Sequence, residues 1–191
     1  MAPTSSSVDQ LAQLLAATEQ LVAAVGDERW ALPTPCTEWN VRDLVNHLVR
    51  GNGLFAAVLR GEPPPAATDV LGDRPLAAYR DSASALLDAF RQPGALERVV
   101  TVPFGTVPGR VALHLRSTEL LVHGWDLARA TGQAVHFPEE LAEQELAFTR
   151  ASLSQIPPGR TPFGPPQPVA EDAPAVDRLA ALLGRRVSGP D

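Results

Sequence analysis

Residues 110–131 read RVALHLRSTELLVHGWDLARAT, and this stretch decides the fold class. Leucines and valines recur through it at helical spacing, which predicts a long amphipathic α-helix. Glu119, His123 and Asp126 interrupt the apolar pattern. Charged side chains normally mark the solvated side of a helix, so the side on which these three lie has to be established.

A helical wheel at 100° per residue places the polar groups on the apolar side. Arg116, His123 and Asp126 fall within about 60° of Glu119, and leucines and valines flank the group on both sides. The opposite face has a composition typical of solvent exposure: His114, Ser117, Thr118 and Arg129. We therefore expect the polar cluster to point into the protein interior.

Helical spacing extends to other parts of the chain and predicts an all-α fold. Further helices are expected at about 8–25, 40–60, 74–91, 138–153 and 175–184. Asn40 and Asp43 have the spacing of a capping box at the start of the second helix. The β-branched stretch RVVTVPFGTVPG at 98–109 predicts a β-ribbon. Proline-rich sequence follows Ile156, so we predict a four-helix bundle over 1–156 and, over 157–191, a tail with a short helix packing on the bundle.

The second helix also directs an imidazole inward. Leu44, Leu54, Phe55 and Val58 all fall within about 80° of His47 on the same wheel. Two facing helices would thus bring His47, Glu119 and His123 together. Two imidazoles and one carboxylate are the three-ligand set of a catalytic zinc, which leaves a fourth position for water or substrate.

Purely structural interpretations of the same residues remain open. A lone histidine on an apolar face is more often a hydrogen-bonded core residue, and Glu119 could form an ion pair with Arg116. Arg116 and Asp126 could orient a ligand, support the ligating side chains or pair with each other. Cys36 is expected to be structural, and Trp39 and Trp125 to be packing anchors. Neither His114 nor His136 is expected to have a role.

Composition excludes several classes of function. A net charge of −6 and a pI near 5.2 argue against nucleic-acid binding. No apolar run reaches the roughly 20 residues that cross a membrane, and the N-terminus does not resemble a signal peptide. The single cysteine excludes an intrachain disulfide. We expect a cytoplasmic protein. Its basic residues are all arginine, which is typical of a GC-rich genome.

Two motifs carry a family resemblance. TPCTEWNVRDLVNHLV at 34–49 and ELLVHGWDLARATG at 119–132 resemble the DinB-like metal-binding superfamily, and within it the N-terminal domain of mycothiol-dependent maleylpyruvate isomerases and their actinobacterial relatives. The resemblance implies a four-helix bundle with a divalent metal, zinc before nickel or iron, on His47, Glu119 and His123. It also implies mycothiol as thiol cofactor and a small electrophilic molecule as substrate.

The resemblance leaves three functions open. The first is a metal- and mycothiol-dependent S-transferase or isomerase, the second a non-catalytic metal-binding bundle such as a sensor or stress protein, and the third a purely structural bundle. Maleylpyruvate isomerases carry a further C-terminal domain, so isomerisation of maleylpyruvate itself is not expected here. A fourth protein ligand, Asp43 or Asp126, would favour the second function. A homodimer is also compatible with the sequence.

Overall fold

The computed structural model describes residues 7–66, 68–103, 105–155 and 163–187, which include six α-helices and one β-hairpin. The helices are α1 (Ser7–Ala23), α2 (Val41–Arg60), α3 (Pro75–Phe90), α4 (Gly109–Thr131), α5 (Glu139–Leu153) and α6 (Ala175–Leu182). The strands are β1 (Val99–Val102) and β2 (Gly105–Pro108). The predicted all-α class with a β-ribbon insertion is confirmed.

The tail enters this description from Phe163 onwards. The predicted boundary at Ile156 and the first part of the proline-rich segment, 157–162, lie outside the described residues. Helix α6 packs on α5 and α4. Trp125 of α4 donates from Nε1 to Asp177 of α6 over 2.6 Å, which holds this tail helix against the bundle. The division into two domains stays a prediction.

Local sequence sets the ends of α2, the helix that carries His47. The side chain of Asn40 accepts from the backbone N–H of Asp43, and the Asp43 carboxylate accepts from the backbone N–H of Asn40. The predicted capping box is therefore present, and it satisfies two N–H groups at the helix start. The helix ends at Arg60, and the next residue, Gly61, has a φ of 75°, a left-handed conformation that glycine adopts without a Cβ clash.

Helix α4 is covered on nearly all sides, which contradicts the predicted solvent face. Helices α1, α2, α5 and α6 all pack against it. Ser117 and Thr118 are buried, and the Thr118 hydroxyl lies 3.2 Å from that of Thr149 on α5. His114 is half-buried beside Glu145 of α5, while Arg129 alone of the four is exposed as predicted. The wheel identified the polar cluster, but it could not foresee that α5 covers the opposite side.

The β-hairpin lies against the end of the bundle. β1 and β2 are antiparallel, with Val99 opposite Pro108 and Val102 opposite Gly105. Val100 and Val102 are buried, and β1 contacts both α2 and α4. The hairpin therefore closes the core next to the two helices that carry the polar cluster. Among the described residues, no helix is long and apolar enough to cross a membrane.

Candidate metal centre

The structure brings the three predicted donor residues together between α2 and α4. One ligand atom each from His47, Glu119 and His123 can be chosen so that all lie within 4.8 Å of one another. Nε2 of His47 is 3.0 Å from Oε2 of Glu119, and the two imidazole centroids are 4.8 Å apart. Two ligands of a tetrahedral zinc at its usual bond lengths lie roughly 3.4 Å from each other. The spacing is therefore one that a divalent ion can use.

Burial and charge give His47 and Glu119 the protonation states that metal ligands need. Burial lowers the pKa of His47, even though the hydrogen bond to Glu119 opposes the shift, so its imidazole is neutral at pH 7. Burial alone would raise the pKa of Glu119. The hydrogen bond with His47, followed by the electrostatic interactions with His123, His47 and the Arg116 guanidinium, outweighs burial and holds the pKa of Glu119 well below its usual range. The donor set thus combines a neutral imidazole with an ionised carboxylate.

His123 is held in place by a chain of buried polar groups. Its Nδ1 lies 3.1 Å from Oδ2 of Asp126, a carboxylate with no solvent exposure. A neutral imidazole that donates Nδ1–H to this carboxylate has its lone pair on Nε2, the nitrogen left for a ligand. Arg185, beyond α6, donates to both oxygens of Asp126 over 3.2 and 2.9 Å. The tail therefore supports the orientation of His123.

The Arg116 guanidinium lies in the protein interior next to Glu119, with no solvent exposure. It is completely buried, and it donates from Nε to Asn52 over 3.0 Å and from Nη2 to the Leu48 carbonyl over 2.7 Å. Its Nη1 lies 3.6 Å from Oε2 of Glu119 and has no hydrogen-bond partner among the described residues. Arg116 and Asp126 thus have separate partners, Glu119 and His123 respectively, and both back the donor cluster.

Close approach of α2 to Arg116 requires a glycine. A Cβ at Gly51 would lie 2.4 Å from Nη1 of Arg116, well inside van der Waals contact. Glycine is unfavourable in a helix interior by about 0.5–1 kcal/mol relative to alanine, so its presence there needs a packing reason. That reason is the space which the guanidinium occupies behind Glu119.

Three residues that the sequence analysis assigned to packing or did not single out lie at or near the donors. The ring centroid of Trp39 is 4.4 Å from that of His47 and 5.6 Å from that of His123, so the indole forms a wall of the cluster. Burial, followed by the negative charge of Asp126, raises the pKa of Cys36. Its thiol therefore stays protonated, in keeping with the predicted structural role. Arg185 had no local signal, because only the folded tail brings it to Asp126.

Two cavities of different character adjoin the cluster. A polar cavity of about 350 Å³ is lined by Trp39, His47 and four charged or amide residues: Glu38, Asp43, Asn46 and Arg50. An apolar cavity of about 300 Å³ adjoins Glu119. Its walls come from β2, α4, α5 and the tail, with seven apolar residues among them: Val107, Val111, Leu115, Val122, Phe148, Leu153 and Phe163.

Fold and site together define a class of protein, a helical bundle with a His–Glu–His donor set between facing helices. The family described as the mycothiol maleylpyruvate isomerase N-terminal domain matches residues 11–128. The chain belongs to this family. A protein titled "Uncharacterized protein Rv0738", from Mycobacterium tuberculosis strain H37Rv, is 40% identical over 172 residues, which cover 87% of this chain and 91% of that protein. A counterpart in strain CDC 1551 matches equally well.

Solved structures agree on the fold. Crystal structures of a mycothiol-dependent maleylpyruvate isomerase and of a histidine-to-alanine mutant of it each superpose with a TM-score of 0.61, at 18% and 17% identity. The match covers 74% of this chain and 66% of the isomerase, so it spans just under two-thirds of that protein's length. The predicted DinB-like bundle is thereby confirmed as a fold.

Proposed function

We propose that the protein is a metal- and mycothiol-dependent S-transferase or isomerase in which His47, Glu119 and His123 hold a divalent ion. The observation that carries this proposal is the convergence of three donor atoms, within 4.8 Å, from two facing helices. Two imidazoles and a carboxylate suit zinc first, with nickel or iron as alternatives. We name mycothiol as the cofactor because the description of the family to which the chain belongs includes this thiol.

The groups behind the donors fit a metal centre. Asp126 fixes the His123 ring through Nδ1, an arrangement common behind metal-binding histidines. The buried Arg116 guanidinium, 3.6 Å from Oε2 of Glu119, stabilises the negative charge of this carboxylate. Both contacts hold ligand atoms in place before an ion arrives, which reduces the entropy cost of binding it.

The cluster supports an open coordination site rather than a closed one. Asp43 is committed to the capping box, and both oxygens of Asp126 are bound by Arg185. Among the described residues, the cluster of candidate ligands contains neither carboxylate, which supports the open site over the closed, non-catalytic one. A thiol at such an ion is deprotonated near neutral pH and becomes a good nucleophile.

The polar cavity suits the body of the thiol cofactor. Mycothiol carries hydroxyl-rich rings beside its cysteine, and those groups need many hydrogen-bond partners. Asn46 and Arg50 line the cavity on α2, the helix that carries His47, and Glu38 lines it from the preceding loop. Trp39 also lines this cavity, and its ring contacts both imidazoles.

The test is metal content of the purified full chain, prepared without a histidine tag. We expect about one zinc per chain in the wild type, and loss of most of it in His47→Ala. His136→Ala is the matched control, since that histidine is exposed in a loop away from the cluster. Mycothiol binding, measured by calorimetry on the zinc-loaded protein, is the second readout.

A structural bundle is the competing function, and one contact favours it. The 3.0 Å approach of His47 to Glu119 is also the geometry of an ordinary hydrogen bond. If neither wild type nor His47→Ala takes up zinc, nickel or iron while circular dichroism shows a folded protein, that contact is structural and the proposed function is wrong.

A further inference from the structure

A second recess continues the polar cavity along α2 toward the start of the helix. This outer recess has a volume of about 200 Å³ and is lined by Arg42, Asp43, Asn46, Thr68 and Asp69. Asp43 and Asn46 also line the polar cavity, so the two spaces adjoin. Asp43 precedes His47 by four residues, which is about 6 Å along a helix axis. The outer recess therefore begins one helical turn from a candidate metal ligand.

The far wall of the outer recess is a loop that α2 holds in place. Asn46 donates from Nδ2 to the Thr68 carbonyl over 2.7 Å and accepts at Oδ1 from the backbone N–H of Val70 over 2.9 Å. Leu71, the next residue, is buried in the core. One asparagine thus bonds the loop backbone on both sides of Asp69, which fixes the position of the chain at that residue.

The Asp69 side chain is also held, although the residue is exposed. Its Oδ1 accepts from the backbone N–H of Leu71 over 3.1 Å, and its Oδ2 accepts from Nη2 of Arg42 over 3.1 Å. The same Arg42 nitrogen donates to the Gly72 carbonyl over 3.1 Å. A carboxylate has about four acceptor positions and a guanidinium five N–H groups, so both side chains keep capacity for a ligand.

A ring with adjacent hydroxyl groups suits such a surface. Each hydroxyl donates one hydrogen and accepts at two lone pairs, so neighbouring hydroxyls can bond to a carboxylate and a guanidinium at the same time. Hydrogen bonds to ionised groups are stronger than those between neutral ones. Because contacts within the protein already hold Asp69 and Arg42, binding a ring there orders few additional groups.

We propose that the outer recess binds the hydroxyl-rich rings of the thiol cofactor, and that Asn46 is the positioning residue that holds the loop wall. Asp69 and Arg42 contact the rings, whereas Asn46 acts through the loop. This inference rests on the proposed function, because it places the cofactor's sulfur at the ion beside His47 and extends its rings outward through the polar cavity.

Mycothiol and N-acetylcysteine amide are suitable probes, because the second keeps the acylated cysteine and lacks both rings. Their dissociation constants are measured by calorimetry on the zinc-loaded full chain. We expect the wild type to bind mycothiol at least about tenfold more tightly than the amide. Equal affinities would overturn the inference, since the rings would then contribute nothing to binding.

Three variants locate the rings. Asn46→Ala removes both bonds to the loop and should weaken mycothiol binding at least about fivefold, while the affinity for N-acetylcysteine amide stays within about twofold of the wild type. Asp69→Ala removes the fixed carboxylate and should give the same pattern. Asp73→Ala is the matched control, because Asp73 is exposed in the same loop and lines neither the polar cavity nor the outer recess. It should leave both affinities unchanged.

The difference between the probes distinguishes ring binding from a general loss of structure, and circular dichroism confirms the fold of each variant. Mycothiol affinity within about twofold of the wild type in either Asn46→Ala or Asp69→Ala contradicts the inference. An equal loss for both probes contradicts it as well, because the change would then act at the ion rather than at the rings.

Zinc analysis of the same samples separates this inference from the proposed function. A zinc-loaded wild type that binds both thiols equally well overturns the inference and leaves the proposed function intact. A wild type that holds no zinc and binds neither thiol overturns both.

Discussion

Arg185→Gln tests whether the tail supports the donor cluster. Asp126 has no solvent exposure, and among the described residues two of the three hydrogen bonds to its carboxylate come from Arg185. Glutamine removes the positive charge and leaves a buried carboxylate with His123 as its remaining side-chain partner. Breaking a buried ion pair from one side costs about 3–5 kcal/mol, so we expect a loss of that order in the free energy of unfolding.

The assay is urea denaturation of the metal-free protein at pH 8, above the ordinary titration range of histidine. Arg186→Gln is the matched control, since the neighbouring arginine is exposed and should change stability by less than about 0.5 kcal/mol. The double variant Asp126→Asn/Arg185→Gln leaves no unpaired buried charge. Its loss in the free energy of unfolding should therefore be at least about 1 kcal/mol smaller than the sum of the losses in the two single variants. If Arg185→Gln stays within about 0.5 kcal/mol of the wild type, the argument for a structural tail anchor is refuted.

Three further predictions follow from the same contacts. Arg185→Gln should also weaken zinc affinity by about tenfold, as the loss of residues that hydrogen-bond to the ligands and their partners does at other metal sites. Competition with a chelator measures this affinity, and an unchanged value would show that the tail does not support the donor residues. Gly51→Ala should lower the free energy of unfolding, measured by urea denaturation, by about 1–3 kcal/mol, because the new Cβ clashes with Arg116. In Gly53→Ala the new Cβ lies 3.4 Å from Pro65, so this control should leave the free energy of unfolding unchanged or raise it by up to about 1 kcal/mol. Equal effects of the two variants would contradict the packing argument. The hydrogen bond to Glu145 raises the pKa of His114, so that pair stabilises the fold below about pH 6.5 and loses its contribution as pH rises through the raised value. Relative to His114→Phe, wild-type stability should therefore fall by up to about 1 kcal/mol from pH 6 to pH 8, and parallel pH profiles would contradict this.

The sequence by itself determined the helices and the inward side of two of them. Helical periodicity and capping are local, so the start of α2 at the Asn40–Asp43 box could be predicted from four residues. The same periodicity placed Glu119 and His123 on one side of α4 and His47 on the apolar side of α2. Those are statements about single helices, and they needed no knowledge of how the helices pack.

Tertiary structure decided what those side chains meet. His47 and Glu119 are 72 positions apart, and Asp126 and Arg185 are 59 apart, so neither contact has a local signal. The buried state of Thr118 depends on where α5 docks, which is why the predicted solvent face of α4 was wrong. Cavities likewise form only between packed elements. Amphipathic periodicity shows which side of a helix avoids water, while the pairing of buried charges follows from the long-range packing that removes them from water.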